Sequence, residues 1–195
     1  LGDVYKRQLY RRHRCLELVA EYSGGLMGRT PDYLNVTFAG FAGDHLAWAG
    51  YDNGVGAERL VSYQKYLRRA DLSLTHAIVP PTADKGKSDT PRPGDEITLR
   101  KIEDTEHGIL IRGARALATL APFADEIAIY PRTPFPDGSE AYALCFCIPT
   151  STPGLKFLCR DSMSRQNNKF DYPLSSRFDE QDAFVIFDNV EVPHD

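Results

Sequence analysis

Ile97-Thr98-Leu99-Arg100-Lys101-Ile102-Glu103-Asp104-Thr105-Glu106-His107-Gly108-Ile109-Leu110-Ile111-Arg112 lies in the part of the chain, from about Ser73 onward, whose texture is β. Ile109 and Ile111 stand two apart, as do Ile127 and Ile129 further on. That is the period of a half-buried strand. Working outward, 97–103, 108–112, 126–131, 142–149, 155–160 and 183–192 read as short strands. Pro91-Arg92-Pro93-Gly94-Asp95, Pro134-Phe135-Pro136-Asp137-Gly138 and Thr152-Pro153-Gly154 supply turns between them. The spacing predicts a compact barrel or a pair of packed sheets over 73–195.

Upstream the pattern is helical. Leu16, Val19 and Ala20 fall at i, i+3 and i+4, with Gly24-Gly25 behind them as a stop. Over 57–69, Leu60, Tyr63 and Leu67 share one side while Glu58, Arg59, Lys65 and Arg68 lie elsewhere. Between these helices, Phe38-Ala39-Gly40-Phe41-Ala42-Gly43 is small and apolar, suited to close packing. The expected class is α+β: N-terminal helices over 9–72, then a β domain over 73–195. Residues 1–8 show no periodicity and read as a scar outside the fold. The chain stops at Val192-Pro193-His194-Asp195, straight after a strand-like run, so a fragment is expected.

Composition narrows the function. In 195 residues, 42% are hydrophobic, enough for a real core, and 23 Lys+Arg stand against 27 Asp+Glu. A net charge of −4 lacks the basic footprint of a nucleic-acid binder. No apolar run is long enough to span a membrane, and no apolar stretch follows Arg11, Arg12 and Arg14 as a signal peptide requires. The default compartment is the cytoplasm. Cys15, Cys145, Cys147 and Cys159 have no zinc-type spacing. They read as buried thiols acting as small hydrophobes, with 145 and 147 on a strand buried on both faces, and no metal is expected.

Three segments carry chemistry. In Gly28-Arg29-Thr30-Pro31-Asp32-Tyr33, Thr30 suits an N-cap and Pro31 the first helical position. Arg29 is then either a solvated neighbour of an ordinary cap or a charged fork where a helix N-terminus favours anions. His76, between apolar runs in Leu74-Thr75-His76-Ala77-Ile78-Val79, is either a satisfied core residue or a proton donor or acceptor. Gly113-Ala114-Arg115-Ala116-Leu117-Ala118-Thr119 is either a tight strand-to-loop crossing or a place where a planar ligand approaches the backbone beside Thr119. Glycine-rich phosphate loops are absent, so any nucleotide-type cofactor is held another way.

These segments, together with Phe170-Asp171-Tyr172-Pro173-Leu174-Ser175-Ser176-Arg177-Phe178-Asp179-Glu180 and Phe187-Asp188-Asn189-Val190-Glu191-Val192-Pro193, stand in a familiar order. From about Ser23 onward the chain resembles the oxygenase component of the two-component 4-hydroxyphenylacetate 3-monooxygenases. The resemblance implies an acyl-CoA-dehydrogenase-like fold of N-terminal helices, middle β domain and C-terminal helical bundle, the last absent here. It implies reduced FAD as cofactor, with FMN less favoured, delivered by a separate NAD(P)H:flavin reductase. It also implies a homo-oligomer, tetramer or dimer, and ortho-hydroxylation of a phenol with O₂ through a flavin hydroperoxide.

Residue by residue, the resemblance places Arg29, Tyr33 and His76 around the phenolic oxygen. His76 would act as base, Arg29 would stabilise phenolate and Tyr33 would donate a hydrogen bond. It places His76, Ala77, Ile78, Thr82, Ala83, Asp84, Lys85 and Thr119 against the flavin, and Pro131, Arg132 and Thr133 in the substrate loop, where Arg132 would meet a carboxylate tail. Two other readings stand beside this one. One is a flavin and iron–sulfur 4-hydroxybutyryl-CoA dehydratase-like enzyme, whose cluster needs a cysteine set that these spacings do not form. The other is an inactive β module that only binds.

Overall fold

The computed structural model describes residues 2–26, 33–50, 52–82, 91, 94–131, 135–163 and 168–194. They fall into two compact units, Leu1–Thr30 with Ser162–Glu180, and Pro31–Asp161 with Gln181–Asp195. This division differs from a boundary at 72/73. The helices after residue 31 belong with the sheets because they cover one sheet face.

In the smaller unit, α1 (Gly2–Ser23) is one helix with no break at residue 8. The stretch expected to lie outside the fold is therefore helical from residue 2. Its helix rests on local bonds rather than on an apolar stripe. Arg7 Nε donates to the Asp3 carbonyl at 3.3 Å, and Arg14 pairs with Glu17 at 2.9 Å and Glu21 at 3.6 Å. The anticipated Leu16 stripe does not pack, since Leu16 is 63% exposed. The helix stops where expected: Gly24 and Gly25 take positive φ, and Gly25 N–H reaches back to the Ala20 carbonyl at 2.9 Å. Elsewhere in this unit a single helical turn, α4 (Ser175–Phe178), is followed by Asp179. The Asp179 carboxylate accepts from Ser162 Oγ at 2.7 Å and Met163 N–H at 3.1 Å.

Among its described residues the larger unit carries two α-helices, α2 (Tyr33–Gly43) and α3 (Val55–Ala70), and seven strands. Three of these, β1 (Leu74–His76), β4 (Glu126–Ile129) and β5 (Phe146–Pro149), form a sheet in the order β1-β4-β5. The other four, β2 (Arg100–Asp104), β3 (Gly108–Thr119), β6 (Leu155–Cys159) and β7 (Asp182–Pro193), pair antiparallel in the order β2-β3-β7-β6. Two packed sheets, of the α+β class, are thus found. The main core lies where Ile127, Ile129 and Ile148 of the first sheet join Ile111, Val185 and Phe187 of the second in one cluster. On the other face of the first sheet, Ala128 packs with Leu34, Phe38 and Leu67 of α2 and α3.

The central strand β4 is buried at all four positions, where the isoleucine spacing alone predicts half-burial. The helices supply the second cover. The cysteines also depart from expectation: Cys15, Cys145 and Cys159 are exposed and Cys147 is half-buried. β5 begins only at Phe146, so Cys145 precedes the strand, while Cys147 faces the helix-side cluster. Burial pushes the Cys147 thiol up to about 12, so it stays protonated at neutral pH. Cys147→Ala is expected to cost about 1 kcal/mol through packing alone, and Cys145→Ala to stay within about 0.5 kcal/mol of wild type. Urea midpoints of the two variants check this, and equal losses would overturn it.

β3 does not end at Arg112. It continues through the Gly113–Thr119 segment with register shifts at 111/113 and 115/118. Gly113 has φ +125°, and a Cβ there would lie 2.6 Å from the Thr98 carbonyl oxygen. Gly113→Ala is accordingly expected to destabilise by about 2–4 kcal/mol, from backbone strain plus a clash with backbone that cannot move aside. A denaturant midpoint within about 0.5 kcal/mol of wild type would show that β3 can shed the bulge.

Candidate active site

β1 is only three residues long, yet it sends its side chains to both faces. Thr75, fully buried, donates from Oγ1 to the Thr119 carbonyl of β3 at 2.6 Å and so ties the two sheets together. His76, next along, faces the other way and is half-buried. Its parallel partner in β4 is Ala128. Two residues beyond, on the same face, stands Tyr130. The Tyr130 hydroxyl lies 2.5 Å from His76 Nδ1, and the two rings meet at 5.6 Å.

α2 brings the third polar ring. Its first residue, Tyr33, stands edge-on to His76, with ring centroids 5.9 Å apart at 84°. The Tyr33 hydroxyl donates to the Thr119 carbonyl over a long 3.4 Å. Two turns further along α2, Phe41 packs against Tyr130 at 6.3 Å and against Trp48 at 5.2 Å. The result is a partly buried wall of aromatic rings with one imidazole and two phenols set in it. Burial, with Tyr33 and two thiols nearby, pushes Tyr130 up to about 12. It is a neutral hydrogen-bonding group at physiological pH.

Of the residues singled out in the sequence, Tyr33, His76 and Thr119 come together. Ala77 is fully buried with its amide bonded to the Ala128 carbonyl at 3.1 Å, Ile78 is half-buried, and Thr82 and Pro131 are exposed. Arg29, Ala83, Asp84, Lys85, Arg132 and Thr133 lie outside the described residues, as do Thr30, Pro31 and Asp32 of the expected cap. Tyr130 stands beside His76 although the sequence does not single it out, and Thr75 holds the Thr119 carbonyl from the opposite face of β1. The signal for Tyr130 was present in the parallel register of β1 on β4, which only the fold reveals.

The edge beyond β1 suits a planar heterocycle. Among the described residues no hydrogen bond engages the backbone N–H or carbonyl of Ile78. A flavin ring, with carbonyls and ring nitrogens along one edge, needs such a peptide group and a short-chained neighbour like Ala77. The described residues hold no group of three metal-ligating side chains. A second buried polar pair, Tyr63 hydroxyl to Glu126 Oε2 at 2.6 Å, sits deeper between α3 and β4. Burial first, then Cys147 and Glu126, raises the Tyr63 pKa, which marks a structural hydrogen bond rather than a titrating group.

Residues 4–195 match the family described as 4-hydroxyphenylacetate 3-hydroxylase N terminal. The chain is 45% identical over 188 residues to the 4-hydroxyphenylacetate 3-monooxygenase oxygenase component of Thermus thermophilus, covering 96% of this chain and 38% of that protein. A crystal structure of the oxygenase component of 4-hydroxyphenylacetate 3-monooxygenase, complexed with FAD and 4-hydroxyphenylacetate, superposes with a TM-score of 0.79. It is 42% identical, covering 96% of this chain and 38% of that one. An archaeal 4-hydroxybutyryl-CoA dehydratase from N. maritimus shares the fold, with a TM-score of 0.72 at 18% identity over 84% of this chain and 34% of its own. This chain therefore spans well under half the length of the curated relative it matches.

Proposed function

Because the chain belongs to the 4-hydroxyphenylacetate 3-hydroxylase N-terminal family, we propose that it forms the N-terminal part of the oxygenase component of a two-component phenol hydroxylase. The observation that carries this reading is the meeting of Tyr33, His76 and Tyr130 in one aromatic wall near the peptide of Ile78, which has no backbone hydrogen bond among the described residues. Reduced FAD, once bound, would supply the two electrons that activate O₂ for ortho-hydroxylation.

The chain's own residues do the positioning. Tyr33 and His76 offer polar hydrogens to a phenolic oxygen, and stabilising that oxygen as phenolate makes the ortho carbon more nucleophilic. Arg29 would add a planar cation for the same oxygen. The rings of Phe41 and Trp48 help exclude water from the reacting face. His76, Ala77, Ile78, Thr82, Ala83, Asp84, Lys85 and Thr119 are the residues proposed to hold the flavin. Pro131, Arg132 and Thr133 are proposed to shape the substrate end. The partners are a separate NAD(P)H:flavin reductase, a small phenol and O₂.

A homo-oligomer is proposed as well. α1 leaves Tyr5, Leu9, Tyr10, Leu16 and Tyr22 exposed, and apolar surface of this kind on one helix suits burial against further protein.

The test is anaerobic titration of the whole oxygenase with reduced FAD, then exposure to oxygen with 4-hydroxyphenylacetate and other phenols. Catechol formation is the expected result, and flavin oxidation without hydroxylated product from any phenol would end the proposal. The 195-residue chain alone is expected to bind reduced FAD more weakly than the whole oxygenase.

A further inference from the structure

We propose that Asn35 is a positioning residue that sets Tyr33 against His76 by clamping the start of β1. This rests on the reading that Tyr33 and His76 face the phenol.

The Asn35 side chain makes both of the bonds that a peptide group makes. Its Nδ2 donates to the Leu72 carbonyl at 2.6 Å, and its Oδ1 accepts from the Leu74 N–H at 3.2 Å. The backbone settles which end of the amide faces which, because a carbonyl only accepts and an N–H only donates. Asn35 lies two residues after Tyr33 in α2, and Leu74 lies two residues before His76 in β1. Between the two clamped groups, Ser73 is held by the segment that leads into β4. Its N–H and Oγ donate to the Asp125 carboxylate at 2.8 and 3.0 Å. Its carbonyl accepts from the N–H groups of Asp125 and Glu126 at 3.0 and 3.2 Å. Residues 72–74 are thus a common reference for α2, which carries Tyr33, and for β4, which leads to Tyr130.

α2 needs such a device. Its sequence, Tyr33-Leu34-Asn35-Val36-Thr37-Phe38-Ala39-Gly40-Phe41-Ala42-Gly43, is apolar nearly all round, so no charged face opposes its buried one. Leu34 and Phe38 pack with Ala128, but apolar contact is non-directional and tolerates rotation of the helix. A half-buried amide with two directional bonds fixes the register, as a lone Asn does in a coiled coil. A slip of one residue along α2 turns its side chains by about 100° and would carry Tyr33 off the His76 ring. Asn35 touches neither phenol nor flavin in this scheme; it acts through the placing of Tyr33.

The contact it sets can be read without phenol, flavin or turnover, so its failure is separate from failure of the hydroxylase reading. In the chain labelled at tyrosine and histidine, nuclear Overhauser contacts from His76 to Tyr33 and to Tyr130 are both expected in wild type. His76→Gln, Tyr33→Phe and Tyr130→Phe assign the signals. Asn35→Leu keeps the bulk and loses both bonds. Asn35→Asp keeps the acceptor for Leu74 but turns negative charge on the Leu72 carbonyl, and an acid in the first turn suits the helix. In both variants the Tyr33 contact is expected to be lost while the Tyr130 contact stays, because the β1–β4 pairing does not run through α2. In the whole oxygenase both should lower hydroxylated product per flavin oxidised by about tenfold, through misplacement alone, with reduced FAD bound as in wild type. A folded variant that keeps the Tyr33 contact overturns the proposal, and so does one that loses both contacts together. Loss of the Tyr33 contact with an unchanged product ratio also overturns it. In wild type the Leu74 N–H is expected to resist hydrogen exchange, and its exchange as a free amide overturns the clamp whether or not either variant folds.

Discussion

His76→Ala in the whole oxygenase is expected to lower the rate of phenol hydroxylation by about 10²–10³-fold, the usual loss when one donor to a developing oxyanion is removed. Binding of reduced FAD should change far less, because the peptide groups of Ala77 and Ile78, proposed to hold the flavin, remain in place. Hydrogen peroxide released per flavin oxidised should rise as hydroxylated product falls, since oxygen is still consumed while the phenol is no longer held reactive. Tyr33→Phe is expected to act in the same direction but more weakly, about tenfold, because its hydroxyl is already shared with the Thr119 carbonyl at a long 3.4 Å. Arg29→Lys should not restore a lost fork, since an ammonium cannot present two parallel N–H groups. The ratio of hydroxylated product to flavin oxidised decides the matter. If it holds at the wild-type value in His76→Ala and Tyr33→Phe alike, these side chains belong to the scaffold and not to the reacting centre.

How the site was legible follows from what a linear sequence can carry. Tyr33, His76 and Thr119 could be singled out because the segments that hold them resemble a family's motifs, whereas their local patterns alone leave a structural reading open. Tyr130 could not, because its importance comes from a parallel pairing between 74–76 and 126–128. A one-residue change in that register would turn it to the opposite face. The same limit explains β4. The isoleucine spacing at Ile127 and Ile129 gives the face toward the other sheet, but the cover on Ala128 comes from α2 and α3, more than fifty residues upstream in the chain. Two packed sheets were legible because turn residues and alternation are local. The strand status of Gly113–Thr119 was hidden by its bulges, where Leu117 adopts φ 62° and the alternation breaks. The start of α1 is hidden in the sequence for a related reason: an exposed helix held by local bonds shows no apolar stripe.

Arg115→Met is expected to stabilise the 195-residue chain, by about 2–4 kcal/mol, an unusual sign for a buried substitution. Arg115 lies in β3 opposite Val185, which is fully buried, and antiparallel partners point to the same face. The guanidinium is thus directed between the sheets, and the residue is only 1% exposed. Its Nε and Nη2 have no hydrogen-bond partner among the described residues. Burial alone pulls its pKa down to about 10, with no carboxylate offsetting the shift. At neutral pH it is still charged, so folding strips water from a cation and gives little in return. Methionine has similar length, three flexible bonds and no charge, and can fill the same space beside Val185 and Ala118. The gain is bounded because the long arginine stem already packs well and its replacement is not an exact fit. Urea denaturation of wild type and Arg115→Met, followed by tryptophan fluorescence, measures the difference. A higher midpoint with an unchanged slope is the expected outcome. A midpoint lowered by the substitution would mean that the guanidinium has an acceptor in solution, and the unpaired cation would have to be abandoned as a description of this core.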